Sequence, residues 1–220
     1  MGKKLRLLKR YLNSALQSFS LIVGFVVVIF TSTFMHMQFS FDTHWKNQDE
    51  LYLVKFKNLL FDEHVGSNTL TPYPLLDLLG SEQFSSFKQV GGAIPITTNL
   101  GNNIGKMDVF YVDSQFLEMF GIVPVLGRLP QSPNEVLISQ EKFDSYGFNK
   151  LERTLEYSNK IDVGIFKVVG VFQSEKKSFF DFQLLTLINN KNIPFQMRND
   201  WLSPNMYTFV NTKDFASNSS

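Results

Sequence analysis

From Tyr11 to Phe41 the chain carries no Asp, Glu, Lys or Arg, and its middle, Phe19–Phe30, is almost wholly apolar. About 20 apolar residues, rising 1.5 Å each, cross a hydrocarbon layer of about 30 Å. The segment therefore predicts a transmembrane helix, over residues 16–40. Lys3, Lys4, Arg6, Lys9 and Arg10 precede it with no acid among them, whereas Asp42, Lys46, Asp49 and Glu50 follow. By the positive-inside rule, residues 1–15 form a basic cytoplasmic segment and the chain beyond the helix lies outside. A cleaved signal peptide would end an apolar stretch of about 7–15 residues at a small-x-small site. Here the segment runs on through Thr31–Phe39 without an Ala-x-Ala signal, which favours an uncleaved anchor. A buried helix of a soluble protein would keep a polar face and would not follow a purely basic cluster.

The remainder of the 220 residues is enough for one ordinary domain, expected over residues 41–212, with a polar tail at 213–220. With 21 Lys and Arg against 20 Asp and Glu, the net charge is +1, so nothing draws the chain to nucleic acid or to an acidic substrate. The absence of cysteine excludes disulfides, thiolate metal sites and a cysteine nucleophile. Phe is unusually frequent, 23 residues spread along the whole length, which predicts a Phe-rich core in addition to the membrane segment.

Beyond the anchor the pattern is mixed. Leu51–Lys57 alternates, with Tyr52, Val54 and Phe56 on one face and Lys55 and Lys57 on the other, as in a half-buried strand. Pro72 and Pro74 open a short amphipathic helix over Leu75–Phe87, weakened at Gly80. Lys106–Asp113 reads as a strand, Asp113 or Ser114 as the cap of a helix over Gln115–Phe120, and Gly121 as its stop. Further strands are expected at Glu135–Ser139, at Gly164–Phe172, apolar enough to be central, and at Met206–Val210. The predicted class is α+β, a mixed α/β domain of strand-helix-strand units after one transmembrane helix.

Chemical motifs are sparse. Gly101–Lys106 has three residues between its glycines and Met107 after the lysine, whereas a Walker A loop needs four and then Ser or Thr, so it is read as a hairpin turn. His36, His44 and His64 are scattered without metal-ligand spacing. There is no Gly-x-Ser-x-Gly elbow, and the acids stand singly in turns and caps. No catalytic, cofactor-binding or metal-binding residue is predicted, no cofactor is expected, and the sequence asks for no enzyme.

Several stretches, in order, resemble the periplasmic core domain of the MacB/FtsX-like ABC transporter permeases. They are the basic N-terminus with its apolar helix, Phe41–Val54, Thr71-Pro72 with Leu75–Leu79, and Val112–Gly121 followed by Gly127-Arg128-Leu129. Glu135–Ser139 with Tyr146-Gly147-Phe148, Lys167–Phe172 and Trp201–Val210 complete the series. The resemblance implies a periplasmic domain at the bacterial inner membrane that couples cytoplasmic ATP hydrolysis to export or envelope processes through protein contacts. It also implies an ABC ATPase subunit, a periplasmic partner protein and a homodimer or permease dimer, and it carries over no site residue. A helix running from Arg10 into the domain would act as a lever, unless a hinge lies near Ser40–Asn47. Such permeases continue with three further transmembrane helices, whereas no second apolar span follows residue 41 here, so the chain is either complete with one anchor or part of a longer protein. The alternative is a single-pass extracytoplasmic domain that senses a small ligand.

Overall fold

The computed structural model describes residues 2–39, 50–55, 69–84, 86–101, 104–174, 178, 180–188 and 193–212, with side chains of the first helix from 16 to 37. The chain divides into two compact units, Met1–Thr43 and His44–Ser220.

The first unit is one α-helix, α1 (Gly2–Phe39). Its Leu16–Met37 stretch, 22 residues, is long and apolar enough to cross a membrane, and none of it is buried against protein. Thr31 and Thr33, near its end, donate their hydroxyls to the carbonyls of Val27 and Ile29, at 2.8 Å each. Those polar groups are thereby satisfied inside the helix, as an apolar solvent demands.

The second unit combines strands and short helices in the order β1 (Leu51–Leu53), α2 (Pro74–Leu79), β2 (Gln89–Leu100), β3 (Gly105–Val112), α3 (Ser114–Met119), β4 (Pro124–Gly127), β5 (Glu135–Ser139), α4 (Gln140–Ser145), β6 (Thr154–Asn159), β7 (Val163–Phe172), β8 (Leu184–Leu187), α5 (Phe195–Asn199) and β9 (Tyr207–Asn211). The strands form one sheet, ordered β1-β9-β2-β3-β8-β5-β7-β4, with β6 bridging β2 and β7. Pairing through β2, β3, β8, β5, β7, β6 and back to β2 closes a ring of six strands, parallel at β3–β8 and β5–β7 and antiparallel elsewhere. The mixed class expected from the pattern is the class observed.

The alternation of strand side chains divides the core in two. Ile94, Ile96, Val109, Tyr111, Val136, Ile138, Leu155, Tyr157, Phe166, Val168 and Leu184 share one buried cluster, to which every ring strand contributes. A six-stranded ring is narrow enough for side chains to fill it. The intervening residues, among them Ala93, Phe110, Val112, Leu137 and Leu185, form a second cluster with α3. Here the phenylalanines gather: Phe116 stacks on Phe120 at 4.3 Å, and Phe182 and Phe209 meet both edge-on.

Two elements differ from expectation. β1 ends at Leu53, and its covered residues are Leu51 and Leu53, which pack on the second cluster, whereas Tyr52 is 40% exposed. The register with β9, Leu53 opposite Phe209, fixes which face is covered; Phe56 and Lys57 lie outside the described residues. The helix expected over 75–87 stops at Leu79, where Gly80 caps it, and a separate 3-10 turn follows at Glu82–Phe84. The hairpin turn expected at Gly101–Gly105 joins β2 to β3. Ser40–Asn47, where a hinge would count against a lever, lies outside the described residues.

Candidate interaction surface

Exposed apolar residues concentrate on the segment from α3 through β4. Val123, Val125, Leu126 and Leu129 are 71%, 59%, 49% and 39% exposed. Beside them a shallow groove of about 340 Å³ is lined by Leu117, Ile122, Val123, Leu129, Pro130 and Leu187, with Glu118 as its charged member. Among the described residues β4 pairs only with β7, which leaves its second edge open. A cluster of large apolar side chains on an open edge is the signature of a surface built to be covered.

Local structure fixes this surface. Asp113 caps α3 through one carboxylate oxygen, which accepts the Phe116 N–H at 2.6 Å, and the other accepts the Gly92 N–H at 2.9 Å. One side chain thus ties the helix to β2. Burial outweighs these bonds and pushes the Asp113 carboxyl up to about 6. The close seat of α3 requires Gly91, since a Cβ there would sit 2.8 Å from the Phe116 nitrogen.

At the far end of β4, Gly127 holds φ 80°, and a Cβ on it would overlap the Val169 carbonyl oxygen. Gly170, opposite it in register, would likewise overlap the Arg128 carbonyl. The two glycines let β4 and β7 cross in close contact. Arg128, next in the chain, forms a bidentate pair with Glu135 across the β4–β5 connection, with Nη1 to Oε2 at 2.8 Å. The Gln131 N–H adds a bond to the same carboxylate at 2.8 Å. The Arg128 guanidinium holds the Glu135 carboxyl down at about 2.

A second concavity, about 570 Å³, lies among Ile104, Ser145, Tyr146, Phe148, Arg153, Thr154 and Leu155. The Arg153 guanidinium carbon stands 6.0 Å from the Phe148 ring centre. Glu152, in the left-handed region at φ 67°, precedes Arg153 in this wall. Val163, 72% exposed, and Ile165 mark a further apolar spot on β7, and Phe195, Trp201 and Leu202 another around α5.

His36 is exposed on α1, and His44 and His64 lie outside the described residues. Among the described residues no group of three His, Cys, Asp or Glu is placed to hold a metal ion. In the sequence Arg128 stands out only within the Gly127-Arg128-Leu129 match. Its partnership with Glu135 has no signal there, because seven residues of separation mean nothing until β4 and β5 are placed.

The model of the MacB-like periplasmic core domain family matches residues 14–219. Among solved structures, a domain of a protein described as a permease from Porphyromonas gingivalis is similar at 16% identity and TM-score 0.60, covering 80% of this chain and 79% of that one. The periplasmic region of MacB from Actinobacillus actinomycetemcomitans matches at 15% identity and TM-score 0.48, covering 75% of each chain. The extracellular domain of the ABC-type transporter YknZ from Gram-positive bacteria matches at 15% and 0.46, covering 76% of this chain and 84% of that one. Among curated proteins no match was found. One apolar helix of membrane-spanning length, followed by this α/β domain and matched almost end to end, fits a membrane-anchored protein, and the chain belongs to the MacB-like periplasmic core domain family of ABC transporter permeases.

Proposed function

We propose that the chain is the anchored outer part of an ABC transporter permease in a bacterial inner membrane. Residues 1–15 lie in the cytoplasm, 16–40 in the bilayer and 41–212 in the periplasm. The domain does no chemistry of its own. It receives motion generated by a cytoplasmic ATPase and passes it on through protein–protein contacts, serving export or another envelope process. The observation that carries this reading is the family match over residues 14–219, which takes in both the apolar helix and the domain. The basic segment ahead of the helix supports the orientation, and the apolar open edge at β4 supports action by contact.

The test is isolation of the full chain from its native membrane in mild detergent, with ATP hydrolysis measured on the product. An ATP-hydrolysing subunit bearing a Walker A loop is expected to accompany it. Isolation without one, from a locus that encodes no such subunit, overturns the reading. The concavity around Arg153, Tyr146 and Phe148 favours a second reading, a ligand-sensing domain, since its volume of about 570 Å³ suits a small molecule. Specific small-molecule binding there, with no ATPase attached, would put that reading first.

A further inference from the structure

We infer that the open edge of β4 is an interface between two copies of this chain, paired antiparallel about a twofold axis at Leu126. The inference rests on the reading that the domain acts by protein contact, and names the partner at that surface.

An open strand edge is completed by another extended strand, which fixes the form of the occupant. Its identity follows from the order of residues around Leu126. In an antiparallel pair centred there, Val125 faces the partner's Gly127, Val123 faces the partner's Leu129, and Ile122 faces the partner's Pro130. Val123, Leu129, Ile122 and Pro130 all line the same groove. The twofold therefore sets the apolar wall of each groove against that of the other, and the two grooves become one covered seam. An isologous interface needs this property, a surface complementary to itself.

The backbone agrees with that centre. The Arg128 N–H bonds to the Val169 carbonyl at 3.1 Å, and Leu126 stands opposite Val171. Strand alternation then turns the polar groups of Arg128 and Leu126 toward β7 and those of Gly127 toward the open edge. Leu126 thus becomes a non-hydrogen-bonded pair with its own counterpart, in which side chains approach most closely.

Charge permits the approach as well. Residues 121–127 carry no charge, so no like charges meet at the axis. Arg128, the nearest cation, is already engaged by Glu135 of its own chain. A four-residue strand and one groove fall short of the roughly 800 Å² per partner of a stable soluble interface. Two chains anchored in one membrane meet at raised effective concentration, which offsets that shortfall.

The absence of cysteine makes the test direct. Leu126→Cys and, as a control, Val163→Cys are introduced separately into the full chain. Native membranes are then oxidised with copper phenanthroline and resolved without reducing agent. Both positions are exposed, so neither variant disturbs the core. The Leu126→Cys chain is expected to form a disulfide-linked dimer several-fold more efficiently than the Val163→Cys chain. Coexpressed Val123→Cys and Leu129→Cys chains are expected to cross-link to each other. Equal yields at the two positions, or no dimer of the Leu126→Cys chain, overturn the inference. An adduct of the Leu126→Cys chain with a different protein also overturns it, while leaving the protein-contact reading standing. A Leu126→Cys thiol that forms no adduct and stays open to maleimide removes both.

Discussion

Asp113 and Glu135 respond to pH in opposite senses, and the stability of the domain depends on both. Asp113 is harder to ionise in the fold than in the unfolded chain, with its carboxyl raised to about 6. Its folded form binds the proton more tightly, so the stability it contributes is complete below the unfolded value of about 3.9 and is lost as pH rises through about 6. The full swing is on the order of 3 kcal/mol, since each tenfold change in proton affinity is worth about 1.36 kcal/mol. Glu135, held down at about 2 by Arg128, contributes stability present above the unfolded value of about 4.3 and lost as pH falls toward 2. Thermal unfolding followed from pH 2 to pH 7 is expected to show both limbs. Asp113→Asn, which keeps an oxygen for the Phe116 N–H, flattens the limb between about 4 and 6, and Glu135→Gln flattens the one below about 4. A wild-type midpoint unchanged between pH 4 and pH 6 would refute the assignment to Asp113. The cap itself was legible in the sequence, since Asp113 stands directly before an apolar helix. Its second bond, to Gly92, was not, because that contact spans 21 residues and depends on how β2 and β3 pair.

At the scale of elements, the β4–β7 crossing is the point least tolerant of change. Gly127→Ala is expected to destabilise the domain by roughly 2 kcal/mol or more, since it combines a left-handed backbone with a steric overlap. Gly147→Ala, also at positive φ but with open space around it, is expected to cost less. Chemical denaturation of both variants orders them, and equal losses would mean that the overlap at Gly127 is relieved by backbone adjustment. Legibility follows the same physics. β3, β5, β7 and β9 announce themselves through runs of β-branched and aromatic residues, and α3 through its cap and its glycine. β2, the longest strand, is hidden because Gly91, Gly92 and Pro95 read as breaks. Those glycines are there because α3 sits against Gly91 and Met206 against Gly92, contacts that local sequence does not encode. β4 and β8, four residues each, are too short to show a period, and β6 offers only Leu155 and Tyr157 as buried positions. The apolar run Ile122–Leu126 belongs to a stretch matched by resemblance, yet nothing in its composition told that Val123, Val125 and Leu126 would be left uncovered.

At the scale of the whole chain, the two compact units predict that deletion of residues 1–43 leaves a protein that stays in solution without detergent and unfolds in one cooperative transition. Circular dichroism on heating checks this, and a gradual loss of signal would mean that the domain depends on its anchor. The strand ladder has a mechanical consequence. β1 begins at Leu51 and β9 ends at Asn211, and these residues are paired, so the chain's way in and way out of the ladder sit side by side at one end. A tug on Leu51 alone would load the β1–β9 hydrogen bonds one after another, like a zipper. A tug on both together would instead slide β9 along β2, loading the five residue pairs from Gln89–Asn211 to Ala93–Tyr207 at once. The domain is therefore compliant toward the independent motion of one terminus and stiff toward the joint motion of both. It would act as a mechanical filter that carries forward only displacements its two membrane-side connections share.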